Sequence, residues 1–158
     1  MHRLWPQVEE HLPRMWRTVR AYERNPAAQD DLMQDVLLAV WQGLPRLRDA
    51  SRLVPFMLRI AHNLGASHVR RAVRAPVRQQ LDDEIPADEQ PDPANTETRW
   101  LLNAVRQLPL PQRQVLLLQL EGFEYKQIAE VLGISIENVG VRAHRARKSL
   151  QVMNDEHR

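Results

Sequence analysis

Residues 125–144, with the sequence YKQIAEVLGISIENVGVRAH, decide the fold of the C-terminal part of the chain. Ala129, Gly133 and Val139 occupy the fifth, ninth and fifteenth positions of this stretch, which is the spacing that a helix-turn-helix requires. A small residue lets two helices cross closely, a glycine adopts the left-handed conformation that closes the turn, and a valine fills the angle between the helices. Ser135 is predicted to cap the second helix through its hydroxyl group.

The second helix of this pair distinguishes a DNA-binding motif from a plain αα-hairpin. The residues that recur at helical spacing and predict its buried face are Val139, Ala143, Ala146 and Leu150. Glu137 is the only acidic residue between Ile134 and Leu150, so the outer face is cationic. Such a helix enters the major groove in helix-turn-helix proteins, and we therefore expect DNA binding. The residues to which we assign this contact are Asn138, Val141, Arg142, His144, Arg145 and Lys148.

Composition limits the classes of protein to which the chain can belong. With 158 residues, 43% of them hydrophobic and 27% charged, it can form one medium domain or two small ones. It contains no cysteine, which excludes disulfides, thiolate nucleophiles and the usual structural zinc sites. It lacks an apolar run of membrane-spanning length and a signal peptide at its start, so we expect a cytoplasmic protein. Glycine is scarce and β-branched residues do not cluster at period two, which predicts an all-α fold.

Three helices are predicted in the N-terminal half of the chain. The first covers about residues 3–24, with a kink or break at Pro13. The second covers about residues 26–43 and has Asn25 as its N-cap. The third covers about residues 52–73. Its predicted inner side consists of Leu53, Phe56, Ile60, Leu64 and, less regularly, Val69.

The second helix has two different faces. Its predicted inward stripe consists of Leu32, Val36, Ala39 and Val40. The residues that share another face, at i, i+3, i+4 and i+7 spacing, are Asp31, Gln34, Asp35, Leu38 and Gln42. Acidic residues near a helix N-terminus are stabilised by the helix dipole, so a solvated surface explains this face. Docking of a basic partner is the alternative interpretation, and the spacing alone leaves both open.

The third helix and the residues after it are strongly cationic. From Arg59 to Arg78 there are twenty residues without an acidic side chain. The basic and amide-bearing residues of this segment are Arg59, His62, Asn63, His68, Arg70, Arg71, Arg74 and Arg78. A basic run is often only a soluble surface, but a segment of this length without a counter-charge favours a polyanionic ligand.

Residues 81–93, LDDEIPADEQPDP, reverse the sign of the charge. This segment is acidic, proline-rich and without helical periodicity, which predicts a flexible linker between two domains. Two helices before the helix-turn-helix complete a four-helix C-terminal unit, and in the second of them residues 115–118 and Leu120 are predicted to be buried. We therefore predict an N-terminal domain of residues 1–75, a linker of residues 76–95 and a C-terminal domain of residues 96–153.

The motifs, in their order along the chain, resemble those of bacterial RNA polymerase sigma factors of the extracytoplasmic-function (ECF) group. Residues 30–35, DDLMQD, are similar to the acidic Asp-Leu-x-Gln-Glu signature of the helix that binds core polymerase. Residues 59–63, RIAHN, are similar to the Arg-Ile-Ala-x-Asn motif of the helix that opens the minus-ten promoter element. The third match comprises Leu108, Pro109, Pro111 and Arg113, and the helix-turn-helix follows it. The resemblance covers almost the whole chain.

This resemblance implies specific partners. The residues expected to dock on the clamp helices of core RNA polymerase are Asp31, Leu32, Gln34, Asp35 and Leu38. The residues expected to contact the minus-ten element, from which a flipped base is trapped, are Arg59, His62, Asn63, Arg70 and Arg71. The C-terminal domain is expected to bind the polymerase flap and to place its last helix in the minus-thirty-five element. The linker is expected to follow the active-site cleft toward the RNA exit path.

The resemblance also implies what the chain does not need. The chemistry belongs to the polymerase, so we expect no enzymatic activity, no metal and no cofactor. We expect a monomer when the protein is free, without membrane insertion, and the resemblance leaves open whether an anti-sigma protein regulates it. The chain departs from the family at Phe56 and Leu58, where Trp and Tyr are usual, and at Gly140 and Val141, which are often Lys or Arg and Ser.

Two other classes of function compete with this one. A conventional helix-turn-helix regulator that acts without core polymerase explains the C-terminal motif. It does not explain the acidic second helix that precedes the RIAHN segment. An enzyme is disfavoured because the sequence shows no nucleophile–base pairing, no phosphate-cradling glycine loop and no metal-ligand spacing among its six histidines.

Overall fold

Helices form the whole of the regular structure in the residues that the computed structural model describes, which are 2–74 and 96–157. The eight α-helices of these ranges are α1 (Trp5–Glu10), α2 (Leu12–Arg20), α3 (Pro26–Gly43), α4 (Leu53–Val73), α5 (Thr96–Gln107), α6 (Leu110–Leu120), α7 (Tyr125–Leu132) and α8 (Ile136–His157). Two short 3-10 helices, Leu44–Arg46 and Ala50–Arg52, connect α3 to α4. The all-α prediction is confirmed for the described residues.

The chain divides into two compact units, which we call the N-terminal unit (Met1–Asp92) and the C-terminal unit (Pro93–Arg158). The predicted linker, residues 76–95, lies outside the described residues, as does Ala75 at the predicted end of the N-terminal domain. Each unit is described below by itself.

The first predicted helix is two helices, α1 and α2, which meet at His11. Pro13 is the second residue of α2, a position where its missing N–H group leaves no hydrogen bond unmade. Its ring would clash with the carbonyl group of Glu9 in a continuous helix, so the break predicted at Pro13 is confirmed. Helix α2 ends at Arg20, four residues earlier than the predicted end at residue 24.

Helix α3 has the predicted bounds and the predicted cap. The Asn25 side-chain oxygen accepts hydrogen bonds from the backbone N–H groups of Ala27 and Ala28, at 2.9 and 3.2 Å. Pro26 is its first residue, as expected for a proline that follows an N-cap. The inward stripe is confirmed at Leu32, Val36 and Val40, which are buried, whereas Ala39 is partly exposed.

The predicted inner side of α4 is wrong in its rotation. The buried residues of the helix are Leu53, Met57, Leu58, Ala61, His62, Gly65 and Ala66, and of the predicted set only Leu53 is among them. Helix α4 packs against both α2 and α3, so its buried face is wide. Its small residues allow close approach: a Cβ atom at Gly65 would lie 2.5 Å from the Cδ2 atom of Tyr22. Apolar spacing does not detect such a face because Ala and Gly contribute little to it.

The C-terminal unit has α8 at its centre, since α5, α6 and α7 all pack against it. The core residues of this unit include Ala104, Val105, Leu108, Val115, Leu118, Ile128, Val139, Ala143 and Ala146. The predicted burial of Leu120 is wrong, because its side chain is 59% exposed. Leu120 follows the buried Leu118 by two residues, which turns its side chain about 200° away around the helix.

The turn between α7 and α8 has the predicted geometry. Gly133 adopts a left-handed conformation, with φ 70° and ψ 37°, and its N–H group donates to the carbonyl oxygen of Ala129 at 2.9 Å. The Ser135 hydroxyl oxygen accepts a hydrogen bond from the N–H group of Asn138 at 3.0 Å. Ala129 and Val139 are both buried between the two helices. The helix-turn-helix prediction is confirmed in each of these features.

Candidate nucleic-acid and partner-binding faces

The predicted docking residues of α3 form one exposed row. Asp31, Gln34, Asp35 and Leu38 are exposed on the side of the helix opposite its buried stripe, and Gln42 continues the row. We call these five residues the acidic face. The prediction that Leu32 contacts the polymerase is wrong for this structure, because its side chain is 2% exposed and packs in the core.

An aromatic pair lies next to the acidic face, and sequence reasoning missed it. Trp41 of α3 is 42% exposed and contacts Trp5 of α1 edge to face, with ring centroids 5.1 Å apart. Trp41 follows Leu38 by three residues, a spacing that places the two side chains near each other on the helix surface. This spacing was the available signal. The outer surface of α3 is therefore acidic toward its N-terminus and apolar toward its C-terminus.

The basic residues of α4 lie on the side of the helix that faces solvent. Arg59, Asn63, Arg70 and Arg71 are all exposed, and we call these four residues the basic side. At about 100° per residue, Arg59, Asn63 and Arg70 lie within roughly 40° of each other, whereas Arg71 lies about 100° beyond Arg70. The structure thus brings three of the predicted minus-ten residues into one row.

His62 does not belong to this basic side, and its assignment to DNA contact is wrong. The side chain is 0% exposed, and its Nδ1 atom shares a hydrogen bond of 2.6 Å with the Oη atom of Tyr22. Burial lowers the pKa of His62 to about 3, because the charged imidazolium would lose its hydration. His62 is therefore a neutral core residue that joins α4 to the segment after α2.

A second histidine of α4 also binds the segment after α2. His68 Nε2 lies 2.6 Å from the Oε1 atom of Glu23, and the N–H group of Asn25 donates to the other carboxylate oxygen at 2.8 Å. Burial by itself would raise the pKa of the Glu23 carboxyl group. The hydrogen bonds from His68 and Asn25 outweigh it and hold this pKa below its usual value. These contacts hold α4 against the turn that begins α3.

The two positions where the family usually has Trp and Tyr are not equivalent here. Leu58 is buried in the core, so it is not available to stack on a base. Phe56 is partly buried, and its ring occupies the space beside Gly43, where a Cβ atom would lie 2.7 Å from Cζ. In the loop between α3 and α4, Asp49 accepts hydrogen bonds from the N–H and hydroxyl groups of Ser51, at 3.0 and 2.7 Å.

The recognition helix α8 separates its buried and exposed residues as predicted. Four of the assigned DNA-contact residues, Val141, His144, Arg145 and Lys148, are exposed, and Asn138 and Arg142 are partly exposed. At about 100° per residue, Val141, Arg145 and Lys148 lie within roughly 60° of each other, opposite the buried face. We call these three residues the outer row. The buried face consists of Val139, Ala143 and Ala146, with Leu150 partly buried.

Arg113, from the third sequence motif, is a structural residue of the C-terminal unit. Its side chain is buried, and its guanidinium group donates to the carbonyl oxygens of Arg106 and Leu108, at 2.7 and 3.0 Å. These are carbonyl groups at the end of α5, which have no partner within the helix. A guanidinium group satisfies several such acceptors at once.

Two kinds of feature are missing from the described part of the chain. Within residues 2–74 and 96–157, no helix combines the length and the apolar character that crossing a bilayer requires. The same residues contain no cluster of three or more potential metal-ligating side chains.

Comparison with known proteins identifies both units. The family described as Sigma-70 region 2 matches residues 7–75, and the family described as Sigma-70, region 4 matches residues 98–150. The fold is similar to that of the sigma factor RpoE from Bartonella quintana, solved in complex with the anti-sigma factor NepR. The TM-score of this match is 0.77 at 23% identity, and it covers 100% of both chains.

Curated relatives agree with these matches. The chain is 31% identical to the RNA polymerase sigma factor CarQ of Myxococcus xanthus over 150 residues, which cover 92% of this chain and 86% of CarQ. It is 30% identical to the ECF RNA polymerase sigma factor ShbA of Streptomyces griseus over 139 residues, covering 80% of this chain and 72% of ShbA. The fraction of a relative's length that the chain matches varies, and it is only 35% for a probable RNA polymerase sigma factor of Xanthomonas campestris. The chain therefore belongs to the RNA polymerase sigma factors of the extracytoplasmic-function group, whose members bind core RNA polymerase and direct promoter recognition and transcription initiation.

Proposed function

We propose that this sigma factor divides its contacts between its two units. The N-terminal unit binds core RNA polymerase through the acidic face of α3 and the minus-ten element through the basic side of α4. The C-terminal unit binds the minus-thirty-five element through α8. The observation that carries the proposal is that one chain exposes an acidic docking row and a cationic recognition helix, each opposite a buried apolar stripe.

The polymerase contact follows from charge and exposure. Asp31 and Asp35 are exposed one turn apart, with Gln34 and Leu38 beside them, so a basic helix of the polymerase clamp finds both carboxylates and an apolar contact. Such a contact gains specificity and association rate from electrostatic complementarity and weakens as salt rises.

Promoter contacts divide into positioning and base recognition. Arg59 and Arg70 meet phosphates of the minus-ten strand, and Asn63 between them has the amide groups to hydrogen-bond a base. On α8, Arg145 has the geometry to bridge the two acceptors of guanine in the major groove. Lys148 and Arg142 contact the flanking phosphates, which adds affinity without sequence preference.

Three further assignments depend on the family. The solved relative RpoE is bound to an anti-sigma factor, and we propose that a protein of this class regulates the present chain as well. We propose that the present chain acts in the cytoplasm, together with the polymerase. We also propose that it has no catalytic activity of its own.

Reconstitution with core polymerase tests the proposal. The purified chain and core enzyme should give run-off transcripts from selected promoters, and core enzyme alone should not. Arg145→Ala should relax base preference in the upstream element, whereas Lys148→Ala should weaken all promoters about equally. If no complex with core enzyme forms and the chain alone binds specific duplex DNA, the chain is a conventional helix-turn-helix regulator instead.

A further inference from the structure

The outer row of α8 contains one apolar side chain. Val141 is 45% exposed and lies between Glu137 and Arg145, which precede and follow it by four residues. It points away from the buried Val139 and Ala143, so the fold gains little from a valine here. A β-branched side chain also has a lower helix propensity than the straight-chain residues that are common at exposed helix positions.

A single exposed apolar residue on a protein surface usually needs no explanation. Val141 is informative because it lies on the face of α8 to which we assign DNA contact. Glu137, Val141 and Arg145 form a row along α8 in which successive Cα atoms rise by about 6 Å. Successive base pairs are about 3.4 Å apart. If Arg145 contacts a guanine, Val141 therefore lies about one to two base pairs away, against the same groove floor.

The major groove offers valine a single kind of partner. Every base edge in this groove presents hydrogen-bond donors or acceptors, and thymine alone adds an apolar group, its C5 methyl. Valine has no side-chain donor or acceptor, so it discriminates between base pairs through contact with this methyl group. A serine at this position would lack that selectivity, because its hydroxyl group bonds to several bases.

We propose that Val141 recognises a thymine in the upstream promoter element by packing its side chain against the C5 methyl group. This inference rests on the proposed placement of α8 in the major groove. The Val141 contact would specify the base at a position of the upstream element that Arg145 does not contact.

Removal of a single methyl group from the DNA tests this contact. An upstream element is first selected with the wild-type chain bound to core polymerase, and each thymine is then replaced by deoxyuridine, which keeps O4 and loses only the methyl group. One replacement, within two base pairs of the guanine assigned to Arg145, should weaken promoter binding about three- to fivefold. In a second element with cytosine in place of this thymine, 5-methylcytosine should bind more tightly than cytosine, because it restores the methyl group.

Variants of the chain assign the effect to Val141. With Val141→Ala the cost of the deoxyuridine replacement should largely disappear, while affinity for the unmodified element falls by a similar factor. Val152→Ala is the matched control, since Val152 is a 52% exposed valine near the other end of the same helix. This control should retain the full deoxyuridine effect.

The outcomes separate this inference from the function on which it rests. The inference is overturned if every deoxyuridine is tolerated, if Val141→Ala keeps the wild-type sensitivity, or if the selected element has no thymine near that guanine. In each of these cases, loss of promoter preference with Arg145→Ala would still support α8 as the recognition helix. An Arg145→Ala variant with unchanged preference would contradict the placement of α8 itself.

Discussion

Gly140 is a residue that disfavours a helix and that its surroundings do not require. It lies in the first half of α8 with an ordinary helical backbone, and a Cβ atom there would lie 3.6 Å from Cε2 of Tyr125, an ordinary van der Waals distance. Glycine costs about 1 kcal/mol relative to alanine within a helix. The glycine is therefore not required by the space available to it.

Gly140→Ala should accordingly stabilise the protein by about 0.5–1 kcal/mol. Urea denaturation followed by circular dichroism measures this change. Gly133→Ala is the matched control, because Gly133 has φ 70° and an alanine there should destabilise the turn by about 1 kcal/mol or more. A destabilising effect of both substitutions would show that the contact with Tyr125 is tighter than the structure indicates.

His62 predicts how stability depends on pH. Its pKa is about 3 when folded and near 6.5 when exposed, so the unfolded chain takes up a proton at a pH where the folded chain does not. This contribution to stability is complete above about pH 6.5 and is lost as pH falls, by up to about 1.4 kcal/mol per pH unit. The lowered pKa of Glu23 acts in the same direction, but only as pH falls through its ordinary value of 4.5.

The midpoint of urea unfolding, measured from pH 7 to pH 5, checks this prediction. His62→Gln should flatten the dependence in this window, because glutamine does not titrate and retains hydrogen-bonding groups for Tyr22. Glu23→Gln should leave the slope above pH 5 nearly unchanged. An equal slope in wild type and His62→Gln would mean that another group dominates acid destabilisation.

At the scale of the element, α3 and α4 each have one side buried in the core and another exposed to solvent. The buried side of α4 combines large apolar residues with His62 and the small residues Ala61, Gly65 and Ala66, and it packs against α2 and α3. Because this side faces the neighbouring helices, the arginines of the basic side remain in solvent. The same separation in α3 exposes the acidic face.

The acidic face should act as an interface that contributes little to folding. The double substitution Asp31→Ala with Gln34→Ala should change the free energy of unfolding by no more than about 0.5 kcal/mol, because both side chains are exposed. Affinity for core polymerase should fall clearly and lose part of its salt dependence, which a titration at several salt concentrations measures.

Asp30→Ala provides the control for this prediction. Asp30 is exposed and carries the same charge, but it lies about 100° around the helix from Asp31. Its substitution should have a much smaller effect on polymerase affinity. If both variants bind core polymerase as the wild type does, the acidic face is only a solvated surface.

At the scale of the whole molecule, the chain has two cores rather than one. Residues such as Met15, Val36 and Met57 form the core of the N-terminal unit, and Leu118 and Val139 belong to that of the C-terminal unit. Units of this size bury enough apolar surface for marginal stability. We therefore expect that residues 1–92 and 93–158 fold as separate fragments.

Each fragment, expressed alone, should show helical circular dichroism and a cooperative thermal transition. The C-terminal fragment should respond to Gly133→Ala as the full chain does, because the turn lies entirely within its unit. A fragment that is unfolded alone but folds when the other is added would show that the two units depend on each other. Independent folding would support the predicted two-domain organisation.

The amino-acid sequence by itself determined the features that depend on neighbours within about four residues. The Asn25 cap, the break at Pro13 and the left-handed Gly133 follow from backbone sterics and local hydrogen bonds, and each could be predicted. Helical periodicity likewise predicts two surface features. One is the exposed row of α3 that contains Asp31, and the other is the position of Arg145 in α8, opposite the buried Val139.

Only the tertiary structure decided which polar or apolar residues the helices bury against one another. His62 is in the core because Tyr22 packs closely against Gly65 and shares a hydrogen bond with the His62 side chain. Neither contact leaves a periodic signal in the sequence of α4. Contact between Trp5 and Trp41 likewise joins two helices that are distant in sequence. Periodicity describes one helix at a time, whereas burial depends on the shape of its neighbours, so the predicted inner side of α4 was wrong while its helix was right.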